Sequence, residues 1–463
     1  MQVLDTAKAE ASISRKPATI ERESTQGAFF WLAAFYFVYC ARPEDWVPGL
    51  TYVPLAKISA VFALLGLLLS SGRTRRGIKD LPREAKYFLA IVCLLFVAAI
   101  LSPVWKGGAF LKTIDFSKAF VAWVLTFLVV TSFSRLRRIV FIQSISVVVI
   151  SIVSMVKGHS QPRLEGVIGG IYSNPNDLAF AIVVTMPFCF AFLLSAKGLP
   201  RKAGWAVAML ITCVTLFMTG SRGGFIDLIA TGVVCLWIFG IKGRRVHLVA
   251  AALLAVLIVG IAAGGTLKNR LLATSGIGLQ SNLDLSAYES YEQRRYLMIL
   301  SLKAIGRYPW GIGLDNFVVY SGVWREVHMS YLQIAAEGGI AALVLYLLFF
   351  ARGFVNLKKI RQLPKHDPQV DLFAGALYAS LVGFLVGALF SPEAYQFFPY
   401  FSVAYTSVLY LIAREKNESG NPEQQLLNSS SPMKSPRRRD FLTRVDGSPR
   451  SARVPSGLLR HDQ

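Results

Sequence analysis

The stretch DLAFAIVVTMPFCFAFLLSAKGLPRKAGWAVAMLITCVTLFMTGSRGGFIDLIATGVVCLWIFGI, residues 177–241, decides the fold. It holds three apolar runs, each close to the roughly 20 residues a helix needs to cross a hydrocarbon core. AKGLPRK separates the first two runs and is dense in Lys and Arg, whereas TGSRGG separates the second from the third with a single Arg. The runs are continuous, not ten-residue alternations, so they read as helices and not as barrel strands. A basic turn followed by a nearly uncharged one marks a chain that crosses a membrane and returns.

Working outward, candidate spans lie at 26–41, 53–70, 87–102, 111–132, 139–156, 177–195, 203–219, 224–241, 246–264, 328–351, 371–390 and 397–413. The first is short, with Pro43 close behind it. The loops check this reading independently. Those at 71–86, 132–138, 196–202, 242–247 and 352–370 are rich in Lys and Arg, while 42–52, 103–110, 157–176, 219–223 and 391–396 are poor in both. Strict alternation is what the positive-inside rule asks of about twelve spans with both termini cytoplasmic.

Composition agrees. Of 463 residues, 54% are hydrophobic and 16% charged, and the mean hydropathy is +0.49. A soluble domain carries about a quarter charged residues, so an ordinary cytosolic enzyme and a disordered chain are excluded. Lys and Arg number 49 against 27 Asp and Glu, a net charge of +22. In a soluble protein that excess would signal nucleic acid; here it follows the loops, so membrane lipids and no nucleic acid are the expected partners. No cleavable signal peptide is visible, because the first 26 residues are polar and no A-x-A exit follows the next apolar run. Cys40, Cys93, Cys189, Cys213 and Cys235 fall within or beside apolar runs without paired spacing, so they read as small apolar residues and not as disulfides or ligands.

The fold class is thus an all-α polytopic membrane protein with one large loop on the non-cytoplasmic side, periplasmic if the membrane is a bacterial inner one. Its expected organisation is a cytoplasmic segment at 1–25, nine helices over 26–264, the loop over 265–327, three helices over 328–413 and a basic tail over 414–463. The tail is Ser/Pro/Arg-rich and reads as disordered. Within the loop an amphipathic helix is expected from about Tyr288 to Ile305, followed by a turn in which Pro309 ends the helix and Gly311 and Gly313 loosen the backbone.

Four features of the outward face carry chemistry. Arg222 stands in the short turn TGSRGG, where the positive-inside rule does not call for it; it reads as an anion ligand or as an interfacial Arg reaching for headgroups. Arg294 and Arg295 open the loop helix as forked donors for phosphate, although pairing with Glu289 and Glu292 would serve equally well. His328, where the loop re-enters the membrane, can take a proton from a hydroxyl near neutral pH. Glu337 lies in the following apolar run, where an ionisable group marks a function or a pairing. Asp227, Asp115 and Lys118 fall under the same rule, the last two spaced to neutralise each other. Finally, Asn174 and Asn176 flank Pro175 in GVIGGIYSNPNDLAF, a turn and helix N-cap in the compartment of Arg222 and His328.

In this order NPNDLA (174–179), SRGG (221–224), R-x-x-x-M followed by PWGIG (294–313) and HMSYLQ-x-x-x-EGG (328–339) resemble the O-antigen ligase/polymerase superfamily of bacterial inner membranes. ARPEDWVPGL (41–50) is also similar to O-glycosylation ligases of exosortase-associated gene clusters. The family often has Trp where Met298 stands and Asn where Met329 stands. The resemblance implies a glycosyltransferase of the C-type membrane fold that needs no metal and no cofactor. Its donor would be an undecaprenyl diphosphate-linked glycan, and its acceptor a hydroxyl on a glycan, on lipid A core or on a protein. Arg222 and Arg294 would then hold the diphosphate and His328 would assist the acceptor, with Arg295, Asn176 and Glu337 as further substrate contacts. Fixed guanidinium groups can stabilise the charge that builds on a diphosphate leaving group, and direct displacement inverts the anomeric carbon. The rival from another class is a transporter or flippase of lipid-linked glycans, which about twelve spans and intramembrane charges would also suit. Against it stand the lack of an inverted hydropathy repeat and the gathering of Arg and His at one face. Ligase, polymerase and protein O-oligosaccharyltransferase differ in acceptor alone.

Overall fold

The computed structural model describes residues 25–70, 76–158, 174–245 and 282–419, with Leu164, Gly166 and Tyr172. The apolar runs fold as helices because only a helix satisfies its own backbone groups within hydrocarbon. In chain order these are α1 (Gln26–Ala41), α2 (Pro43–Trp46), α3 (Leu55–Leu69), α4 (Arg83–Leu101), α5 (Lys106–Val129), α6 (Phe133–Lys157), α7 (Pro175–Ser195), α8 (Leu199–Thr219) and α9 (Arg222–Cys235). The last of these continues as a π-helical turn, Leu236–Ile241. Then come α10 (Asn282–Arg307), α11 (Asn316–Tyr320), α12 (Ser330–Gly338), α13 (Ile340–Arg361), α14 (Pro368–Gly387) and α15 (Phe397–Ser419). No strand occurs among the described residues. Two compact units divide the chain, Met1–Asn417 and Glu418–Gln463. The bundle belongs to the first; of the second, Glu418 and Ser419 are described, as the end of α15.

Among the described residues seven helices are long and apolar enough to cross a membrane: α4, α6, α7, α8, α9 with its π turn, α13 and α14. The expected spans at 26–41 and 53–70 are helices of 16 and 15 residues, short for a crossing. Helix α5 is long enough but carries Lys112, Asp115 and Lys118, and an ion pair joins the last two. The expected span at 246–264 lies outside the described residues. The run at 328–351 is broken in two at Gly339, and its membrane-length part is α13. The loop helix begins at Asn282, earlier than its amphipathic pattern indicated, and ends at Arg307.

The helix ends gather at two faces. At one, Arg135 Nη1 donates to the Val129 carbonyl and the Thr25 hydroxyl, both at 2.9 Å, and Arg76 donates to the Val130 carbonyl at 3.1 Å. This basic end also collects the starts of α4, α8 and α14 and the Lys/Arg-rich finish of α13. At the other end Lys157 reaches the Trp46 carbonyl at 2.6 Å and Tyr172 the Cys40 carbonyl at 2.9 Å. ARPEDW forms a self-contained turn there. Arg42 takes a left-handed φ of 49° and its guanidinium lies 2.7 Å from Glu44 and 3.0 Å from Asp45.

Packing between the spans relies on small residues, as it must where lipid is as apolar as the interface. A Cβ on Gly383 would meet Thr231 at 2.1 Å and one on Gly387 would meet Asp227 at 2.6 Å. These glycines let α14 lie against α9, and buried Asp227 sits in that seam. One interior carboxyl oxygen is doubly bonded: Glu84 Oε1 accepts from Asn356 at 2.7 Å and from Ser407 at 2.6 Å. All five cysteines are free; Cys40, Cys189 and Cys235 are buried, and Cys93 is exposed on α4.

Candidate functional site

The outward turns are built by capping and close approach. Asn174 caps α7, its side chain accepting from the Asn176 N–H at 3.0 Å. Ser221 caps α9, accepting from the Gly224 N–H at 3.1 Å, and its hydroxyl donates to Asn176 Oδ1 at 2.8 Å. The two helix starts can meet because Gly224 has no side chain; a Cβ there would lie 2.7 Å from that of Ala179. Arg222, the first residue of α9, is half-buried beside this junction. Asn176 is therefore a bridge between α7 and α9.

One residue further, Asp177 stands beside Glu393, a buried carboxyl from the turn between α14 and α15. Ser391 donates to Glu393 Oε1 at 2.7 Å, and the Glu393 N–H donates to Ser330 Oγ at 2.8 Å. Burial, with Asp177 alongside, pushes the Glu393 carboxyl well above the usual carboxylate range. Ser330 opens α12, two residues after His328. An unbroken contact path thus runs from the Arg222 turn to the His328 segment.

His328 is half-buried with Nδ1 3.0 Å from the Glu326 carbonyl oxygen. A carbonyl only accepts, so Nδ1 carries the proton and Nε2 the lone pair. Burial, then the nearby Arg294 guanidinium, hold the imidazole below the ordinary histidine value; the Glu326 carbonyl opposes this and Arg325 adds to it. Neighbouring Glu326 is pushed up to about 7 by burial, then by Asp315 and Asp177, against a smaller opposing effect of Lys112.

Arg294 and Arg295 part company on α10. Arg294 is half-buried and its charge acts on His328, whereas Arg295 is exposed with its guanidinium 3.6 Å from Glu292. The side chain of Glu289 lies outside the described residues. Helix α10 is seated by a second small core in which Leu297, Ile312, Phe317, Val327 and Ala336 are buried together. Apolar contacts of this kind seat the helix that carries Arg294.

Glu337 is turned into the protein. It is 1% exposed and its Oε1 accepts from the Phe317 N–H at 3.3 Å. The PWGIG turn is stitched to the same helix end, with Ile312 and Gly313 donating to the carbonyls of Ala336 and Glu337, both at 2.9 Å. Gly311 and Gly313 do not loosen this turn. They hold φ of +95° and +93°, and a Cβ on Gly311 would lie 2.4 Å from the Glu337 carbonyl oxygen. Asn316 ties the turn to the start of α5, donating to Ser102 at 2.7 Å and to the Trp105 carbonyl at 3.2 Å.

Sequence reading missed Asp177, Glu326, Glu393, and the Lys112–Asp315 pair, whose charged atoms are 2.7 Å apart. The one available signal was Asp315 in DNF after PWGIG; the others meet only through tertiary structure. Among the described residues no three His, Cys, Asp or Glu side chains converge to hold a metal ion.

Comparison with known proteins adds one finding. No curated protein matches the chain. Residues 206–347, from within α8 to within α13, match the family model Wzy_C, described as O-antigen ligase, and this segment contains Arg222, Arg294 and His328. The match supports the similarity of this segment to the O-antigen ligase/polymerase superfamily.

Proposed function

We propose that the protein is a membrane glycosyltransferase that moves a glycan from an undecaprenyl diphosphate-linked donor to an acceptor hydroxyl at the periplasmic face. The family match supports glycan ligation or polymerisation in a multi-pass membrane protein. The observation that carries the reading to chemistry is His328: its Nδ1 is bound to a carbonyl, and burial together with the Arg294 charge disfavours its imidazolium form.

In this reading the acceptor O–H approaches the anomeric carbon from the side opposite the diphosphate. The new C–O bond forms as the bond to the diphosphate oxygen breaks, inverting that carbon. The acceptor proton passes to His328 Nε2, and the charge on the departing diphosphate falls to Arg222 and Arg294. Neither step requires a metal in this scheme. Asn176 and Glu337 hold the two outward turns in place, and Arg295 offers a second cation at the rim of the donor site. The basic end of the bundle would be cytoplasmic by the positive-inside rule, leaving Arg222 and His328 outside.

Purified protein given an undecaprenyl diphosphate oligosaccharide and candidate hydroxyl acceptors should release undecaprenyl diphosphate and form the glycosylated acceptor. Movement of labelled lipid across vesicles with no transfer to any acceptor class would overturn the proposal in favour of a flippase.

A further inference from the structure

At the basic end, away from Arg222 and His328, a cleft of about 840 Å³ opens between the starts of α6 and α8. Arg137 and Arg138 come to it from α6, Lys197 from the α7–α8 turn, and Arg201 from the first turn of α8. No Asp or Glu lines it. Arg137 is half-buried and Arg138, Lys197 and Arg201 are exposed, so four like charges share the mouth and an anion joining them relieves their mutual repulsion.

The interior of the cleft has a different character. Trp205 stacks on Phe192 with ring centroids 4.8 Å apart and planes 12° apart, and Phe141 meets both rings edge-on at 5.7 Å. The Arg137 guanidinium sits 5.8 Å from the Phe192 centroid, which directs it between the aromatic wall and the mouth. Gly198 gives α8 no side-chain cap, and Lys197 and Arg201, on either side of it, bring the positive start of that helix to the same mouth.

We propose that this cleft seats an anionic glycerophospholipid, its phosphate among Arg137, Arg138, Lys197 and Arg201 and an acyl chain along Phe141 and Trp205. Charge complementarity selects an anion at the mouth. A soluble anion has no use for the aromatic wall, and an uncharged lipid none for four cations. The cleft also opens where α6, α7 and α8, all of membrane length, begin or end, which would bring it near the lipid phosphates of a bilayer they cross.

The test measures lipid retained by purified full-length protein in native mass spectrometry, after exposure to phosphatidylglycerol or phosphatidylcholine. Phosphatidylglycerol should be retained in clear preference. Each cation removed should weaken its retention by about fivefold, so Arg137→Gln with Arg201→Gln weakens it by about 25-fold. Gly204→Leu blocks the cleft without altering charge, since a Cβ at Gly204 meets nothing within 4 Å, and it should abolish the preference by itself. That variant decides the matter if the double variant fails to fold. Free glycerol 3-phosphate, which shares the phosphate but has no acyl chain, should not displace the lipid at equal concentration. Equal retention of the two lipids, unchanged retention in Gly204→Leu, or displacement by glycerol 3-phosphate would each overturn the proposal.

Discussion

His328 Nδ1 lies 3.0 Å from the backbone carbonyl oxygen of Glu326, two residues before it. The bond is local, so it holds the imidazole orientation whatever the loop does. It also leaves Nε2 as the only ring nitrogen able to accept a proton. Transfer should need the neutral ring, with activity rising with pH through an acidic limb below the ordinary histidine value of 6.5. His328→Gln should remove that limb and slow transfer by roughly 10²–10⁴-fold. A pH profile of kcat/KM for both proteins checks this, and an unchanged limb in the variant would remove His328 from the chemistry.

Two arginines near that ring act differently. Both Arg294 and Arg325 disfavour the imidazolium, but Arg325 is exposed and holds no part of the donor in the proposed reaction. Arg325→Gln should move the acidic limb to higher pH and leave the plateau rate alone. Arg294→Gln should move the limb in the same direction and also lower the plateau, by roughly 10²-fold if it stabilises the leaving group. The same profile with a plateau measurement separates the two roles.

The glycines of SRGG differ in what they permit. Gly224→Ala places a Cβ 2.7 Å from the Ala179 Cβ and must part α9 from α7. It should cost about 1–3 kcal/mol, the usual range for overpacking, and break the Ser221–Asn176 bond. Gly223→Ala faces the Phe390 Cβ at 3.2 Å and should be milder. Gly232→Ala, further along the helix, meets nothing within 4 Å and should be neutral or stabilising by up to about 1 kcal/mol. Thermal unfolding in one detergent ranks all three.

The break between α12 and α13 invites a similar comparison. Gly339 has φ of +87°, and a Cβ there would lie 2.6 Å from the Trp310 carbonyl carbon. Gly322 has φ of +69° with open space around it. Gly322→Ala should therefore cost only the left-handed backbone, about 1–2 kcal/mol. Gly339→Ala adds a backbone collision and should prevent the PWGIG turn from docking. Proteolysis at Trp310, half exposed already, should rise in Gly339→Ala and stay at the wild-type level in Gly322→Ala.

What could be read from the chain follows from the range of the forces involved. Helices α4, α6, α7, α8, α9 and α14 declare themselves through composition alone, because burial in lipid is a property of the run. Asn174 and Ser221 are legible as caps because capping is local. The break at Gly339 is not: AAEGGIAAL reads as one apolar run, and only the Trp310 backbone pressing on it forces the bend. Tandem arginines look alike in sequence, yet the small core around Leu297 turns Arg294 inward and leaves Arg295 with Glu292. Glu393 could not be foreseen at all, since its neighbours Asp177 and Ser330 come from distant segments.

Glu393 and Asp177 supply the last test. Glu393 is 1% exposed with a second carboxyl beside it, so the folded protein keeps it protonated above the usual carboxylate range. A proton held in the folded state and released in the unfolded one makes stability fall with rising pH. Its contribution is complete below the ordinary value of 4.5 and is lost progressively as pH climbs toward the raised value. Glu393→Gln keeps the shape and cannot ionise, so its unfolding temperature should gain on wild type as pH rises from about 5 to about 8. Glu393→Ala should lose stability at every pH, because Ser391 then has no partner for its hydroxyl. A Gln variant that falls behind wild type as pH rises would mean that Glu393 is ionised and that the pair is held by a cation instead.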